Sequence, residues 1–121
     1  MGIDHLYMVY DADAGVRGEL AYVAGKLRGR HCGLCDITHG TLRRKPAFDE
    51  FACTLSVPFD VWHRNEQTAD VAAFTDGITP VVVAHGEHGF EVLLDADTLA
   101  SFHGDVDRFA AALTALLHAR A

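Results

Sequence analysis

Ile78-Thr79-Pro80-Val81-Val82-Val83-Ala84-His85-Gly86-Glu87-His88-Gly89-Phe90-Glu91-Val92-Leu93-Leu94 is the stretch on which the fold turns. Val81-Val82-Val83-Ala84 is a β-branched run of strand length, and Phe90-Glu91-Val92-Leu93-Leu94 is a second. The polar, glycine-bearing segment between them, residues 85–89, reads as a hairpin connection, and so tight a connection permits only antiparallel pairing.

Moving outward, Asp76-Gly77 signals a turn, and residues 69–74 read as a short helix. Val57-Pro58-Phe59-Asp60-Val61-Trp62-His63 reads as a strand with Pro58 near its start, where a missing N–H is tolerated. Leu6-Tyr7-Met8-Val9-Tyr10, closed by Asp11-Ala12-Asp13, reads as a buried strand. Gly15 and Gly18 bracket the turn after it. Leu20, Val23, Ala24 and Leu27 then recur at helical spacing, with Glu19 in the first turn and Lys26 and Arg28 in the last, as the helix dipole favours. Pro46 opens a helix whose buried face carries Phe48, Phe51, Ala52 and Leu55. Cys53, in the same helix, reads as a small core residue. A turn of helix is expected at residues 98–102. The closing helix, residues 105–118, is amphipathic through Val106, Phe109, Ala110, Leu113, Leu116 and Leu117, with Asp105 as its cap. Residues 29–45 break the pattern. Gly29, Gly33 and Gly40 stand among Cys, His, Asp and Thr, which reads as an irregular insertion with room for one helical turn or a short strand at residues 34–38.

The order is strand, helix, insertion and helix, strand, helix, strand, strand, helix. Two strands joined through helical crossovers are parallel and the last, hairpin pair antiparallel, so the expected architecture is α/β, a mixed four-stranded sheet flanked by helices in one domain spanning 1–121. This order resembles the thioredoxin-like superfamily. Ile78-Thr79-Pro80-Val81-Val82-Val83 is similar to that family's segment in which a cis-proline precedes the third core strand, and His85-Gly86-Glu87-His88-Gly89-Phe90 to its hairpin turn. The resemblance implies a cis Pro80. It also has a departure. The family carries Cys-x-x-Cys between the first strand and its helix, and here that place holds Ala14-Gly15-Val16-Arg17, which contains no sulfur. Disulfide exchange at the usual place is excluded.

The sulfur lies further on, in His31-Cys32-Gly33-Leu34-Cys35-Asp36-Ile37-Thr38-His39. Two cysteines three apart with glycine between can turn both sulfurs toward one point, as in the knuckle of many zinc sites. One helical turn brings His39, four residues beyond Cys35, to the same face. Thiolates with imidazole favour Zn2+ or Cu+ over hard cations, and the ligand set does not separate the two. The fourth ligand expected is His63, at the end of the second strand beside Asp11, Asp13 and the Thr79-Pro80 turn. Asp36 is a local alternative, and His31 could ligate in place of His39. A fourth protein ligand would make the site structural; an open position would leave a zinc-bound water or suit trigonal Cu+. A second reading makes Cys32 and Cys35 a redox pair, with Arg30 and His31 stabilising a thiolate. In a third, the cysteines merely pack a loop, His39 caps a turn, and the domain recognises a protein partner without catalysis. Asp11, Asp13 and Glu66 are candidate general bases, none singled out by spacing, so whether the chain is an enzyme stays open.

The chain of 121 residues is half apolar and less than a quarter charged, with net charge −7, which disfavours nucleic acid and acidic membranes as partners. Arg28, Arg30, Arg43, Arg44 and Lys45 nevertheless flank the cysteine segment, either as a solvated rim or as a patch that lowers thiol pKa values or holds an anion. His5, His85 and His88 are expected to gather at the other end of the sheet, with adventitious metal affinity. Trp62 reads as core. Gly15-x-x-Gly18 matches no phosphate-binding fingerprint. Met1-Gly2-Ile3-Asp4-His5-Leu6 lacks the features of a signal peptide or a myristoylation site, and no run reaches the length of a membrane span. The expected address is the cytoplasm, where thiols stay reduced.

Overall fold

Side chains alternate across an extended chain, so β1 (Ile3–Val9) presents Leu6 and Met8 to one side and His5, Tyr7 and Val9 to the other. The computed structural model describes residues 3–11, 34, 37 and 46–120. Its further elements are α1 (Pro46–Ala52), β2 (Phe59–Trp62), a 3-10 turn (Arg64–Glu66), α2 (Ala69–Thr75), β3 (Val81–Gly86), β4 (Gly89–Leu94), α3 (Ala96–Ser101) and α4 (Val106–Ala119). The sheet order is β2-β1-β3-β4. β1 and β2 are parallel, with Tyr7 opposite Asp60 and Val9 opposite Trp62. β3 lies antiparallel to β1, pairing His5 with His85 and Tyr7 with Val83, and β4 returns antiparallel to β3. This is the mixed four-stranded sheet flanked by helices that the sequence implies.

The differences lie at element ends and in one direction: β3 follows β2 through a helix yet runs antiparallel to β1, because it pairs with β1 from the opposite edge and not as a parallel crossover strand. β1 begins at Ile3 and not at Leu6, across a bulge between Ile3 and His5. β3 and β4 run into the expected connection, pairing Gly86 with Gly89 and leaving Glu87 and His88 as the turn. β2 is shorter than the apolar run around it, although the Pro58 carbonyl still accepts the Leu6 N–H at 2.9 Å. Gly77, in the Asp76-Gly77 turn, has φ +77°, a conformation open to glycine at little cost. The Thr79-Pro80 bond is cis.

The principal core fills the Leu6/Met8 face. Val82, Ala84, Leu93 and Leu94 extend it across the sheet, and Phe48, Leu99, Phe109 and Leu113 cover it from the helices. Phe109 sits at the centre, with Phe48, Phe51 and Phe102 rings at 6.2, 5.9 and 6.4 Å. Leu34 and Ile37, both helical and fully buried, belong to this core. α4 is held at its start by Asp105, whose carboxylate accepts the N–H groups of Asp107 (2.9 Å) and Arg108 (3.2 Å). Asp95 caps α3 likewise through the Thr98 N–H at 2.8 Å.

Cys53, expected in the core, is not there: it is an exposed free thiol. α1 ends at Ala52, and Cys53 lies about 100° round the helix from it, away from the face that buries Phe48.

Candidate functional site

The end of the sheet where β1 and β2 stop and β3 starts gathers Tyr10, Asp11, His63, Arg64, Glu66, Gln67, Thr75 and Thr79. The backbone ties it together: Tyr10 N–H donates to the Trp62 carbonyl at 2.8 Å, so the chain segments leaving β1 and β2 emerge side by side. Asp11 then accepts the Thr79 hydroxyl at 3.0 Å and stands 3.6 Å from the Arg64 guanidinium. An open cleft of about 430 Å3 lies between Asp11, Arg64, Gln67, Thr75, Asp76 and Thr79. Its floor holds the buried Thr75 hydroxyl, which donates to the Gln67 side-chain oxygen, while the Gln67 amide donates to the Arg64 carbonyl at 2.9 Å.

His63 is the best-defined group of this edge. One Glu66 oxygen accepts the His63 backbone N–H at 2.7 Å and pairs with ring Nδ1 at 2.8 Å. The imidazole rests edge-on against buried Tyr10, ring centroids 5.0 Å apart. Those two contacts, backbone first, hold the Glu66 carboxyl below its usual range, so it is ionised at neutral pH. An ionised carboxylate only accepts, which assigns the proton to Nδ1 and leaves the lone pair of the neutral ring on Nε2. Among the described residues the hydrogen bonds of the ring are made at Nδ1 and not at Nε2. A histidine oriented through Nδ1 by a carboxylate, with Nε2 open, is the arrangement that metal-ligating and proton-accepting histidines share.

The other predicted site residues divide. Cys32, Cys35 and His39 lie outside the described residues, as do His31, Asp36 and Asp13. Asp11 and Glu66 do lie beside His63, yet each is engaged, Asp11 with Thr79 and Arg64, Glu66 with His63. At the far end, His5 and His85 come together as directly paired residues of β1 and β3, while His88 stands exposed in the turn. Each of the pair is held by its own carboxylate: His5 Nε2 lies 2.9 Å from Asp60, and His85 Nδ1 lies 2.9 Å from Asp4. Among the described residues no three of His, Cys, Asp and Glu converge to hold a metal ion.

Sequence reasoning did not single out Tyr10, Gln67 or Thr75. Tyr10 looks like one more core aromatic, and the contact between Gln67 and Thr75 depends on how α2 docks. Asp60 did carry a signal, a carboxylate in the middle of an apolar strand. Trp62 is half-buried and lies beside Tyr7, not in the principal core. No helix among the described residues is long and apolar enough to cross a membrane. No protein-family model, curated protein or solved structure matches the chain.

Proposed function

We propose that this chain is a thioredoxin-like domain that holds a soft metal ion, Zn2+ or Cu+, through Cys32, Cys35 and His39, with His63 as the fourth ligand, in the reducing cytoplasm. The strand order β2-β1-β3-β4, with its one parallel and two antiparallel pairings, supports the thioredoxin-like reading.

The observation that carries the metal reading is the burial of Leu34 and Ile37 in helical conformation. The sequence interleaves these two anchored residues with Cys32, Cys35 and His39, a spacing of soft donors suited to a single metal ion. Two thiols and an imidazole form a soft donor set, and the burial of Leu34 and Ile37 supports a segment held to the domain. His63, held through Nδ1 and open at Nε2, is suited to complete a tetrahedral shell as a structural zinc site requires.

The test is elemental analysis of tag-free protein purified under reducing conditions, beside a thiol count. About one metal ion per chain, lost in Cys35→Ser and bound more weakly in His63→Ala, is the expected result. Metal-free protein whose Cys32 and Cys35 cycle with a dithiol reductant would replace this reading with a thiol–disulfide oxidoreductase. Metal-free protein with inert thiols would leave a binding module without catalysis.

A further inference from the structure

Among the described residues, α2 alone packs on the face of the sheet turned away from the principal core. α2, two turns long, seats Val71 over Val9, Val81 and Val83 and stops there. Beyond it a continuous aromatic surface crosses all four strands. His5 stacks on Tyr7 at 4.5 Å, Tyr7 meets Trp62 at 5.1 Å and Phe90 at 6.3 Å, and Phe90 meets Phe74 at 5.3 Å and His85 at 4.9 Å. Phe74 and Val92 keep more than a third of their surface open to solvent, and Tyr7, Trp62 and Phe90 are half-buried.

Carboxylates border this surface. Asp60 stands opposite Tyr7 in the register, Asp4 reaches His85, and Asp70 sits exposed at the start of α2. All three act on one point: the Tyr7 phenol is held above its ordinary pKa, first by burial and then by Asp70, Asp60 and Asp4. The arginines among the described residues pair elsewhere: Arg64 with Asp11, Arg108 with Asp105 and Arg120 with Glu91. Among the described residues the hydrogen bonds of Asp4 and Asp60 are to His85 and His5, and those of Asp70 to the Thr68 hydroxyl and the Val71 N–H.

An apolar aromatic face within a negative field selects a ligand that is flat, cationic and able to stack. A guanidinium meets all three conditions: it stacks on aromatic faces, it pairs with carboxylates through a planar fork, and it is less strongly hydrated than an ammonium. The geometry points to the surface formed by Tyr7, Trp62, Phe74 and Phe90 as a docking site for an arginine-bearing segment of another protein, with Asp60 and Asp70 pairing its guanidinium groups. The surface lies on the sheet face and not at the His63 edge, so it stands whether or not a metal binds there.

Trp62 is the sole tryptophan of the chain, so its fluorescence reports on this surface alone. The probe is a synthetic peptide alternating arginine with glycine, titrated against the full chain beside the same peptide carrying lysine and one carrying glutamate. The expected result is a saturable change in Trp62 emission with the arginine peptide, several-fold weaker binding of the lysine peptide, none of the glutamate peptide, and weakening by added salt. Asp60→Asn and Asp70→Asn, each with an unchanged thermal transition, should lower affinity about threefold to fivefold apiece. An unresponsive Trp62, equal binding of all three peptides, or indifference to both substitutions would overturn the proposal. So would a dimer in sedimentation that buries Trp62, which would make a second copy of this chain the occupant.

Discussion

The two faces of this sheet are built from the same strands and end in opposite conditions. One face lies under α1, α3, α4 and the buried pair Leu34 and Ile37, and its aromatic residues converge on Phe109. Among the described residues, the other lies under the seven residues of α2, and its aromatic residues spread in a row that solvent reaches. The difference teaches that burial on one side sets the fold while incomplete burial on the other leaves surface for recognition. Removing a side chain from a closed core costs its transfer free energy and leaves a cavity; removing one from an open face leaves no cavity.

Large-to-small substitutions break or sharpen that comparison most directly. Phe109→Ala should lower stability by about 3–5 kcal/mol in urea titrations, whereas Phe90→Ala should cost about 1–2 kcal/mol. Equal losses would mean that the second face is as closed as the first. Leu34→Ala should cost about 2–4 kcal/mol, since Leu34 belongs to the closed face. A change near zero would detach the cysteine-bearing segment from the core and remove the anchor on which the metal reading rests.

Smaller effects come from the groups that fix element ends. Asp105→Ala removes the acceptor for two N–H groups at the start of α4 and should lower the urea midpoint by an amount equivalent to about 1 kcal/mol. The smallest effect concerns Glu66. Its folded-state pKa is depressed, so its contribution is present above the ordinary glutamate value and lost as pH falls through the lowered one. Because the side chain is nearly half exposed, screening reduces this to a few tenths of a kcal/mol. Glu66→Gln should lower stability by that amount in the neutral region and leave the low-pH end unchanged, so that the acid limb of a stability-against-pH curve flattens.

Much of the architecture was legible in the residues. Apolar alternation, the two-sided Val81-Val82-Val83-Ala84 run and the helical spacing through Phe109 and Leu113 each report a local rule that holds wherever the chain goes. Cys53 and Trp62 show where such rules stop. A cysteine one residue past the end of a helix turns outward, and a tryptophan at a strand end can lie on the half-open face; neither helix ends nor strand ends are fixed by periodicity. The site was legible in part. His63, Asp11 and the Thr79-Pro80 turn do meet at one edge, as the strand order demands. The Glu66 contact that leaves Nε2 open depends on how the 3-10 turn folds back, and spacing does not encode that.

The sequence by itself determined the number of strands, the parallel β1–β2 pair and the antiparallel β3–β4 hairpin, because these follow from periodicity and connection length. Tertiary structure alone decided that Asp60 and Asp4 take His5 and His85, that Glu66 orients His63, and that an aromatic row stays open beside Asp70. Each of these joins residues from separate elements or depends on a local fold-back, and such contacts are set by register and docking, which no local pattern specifies.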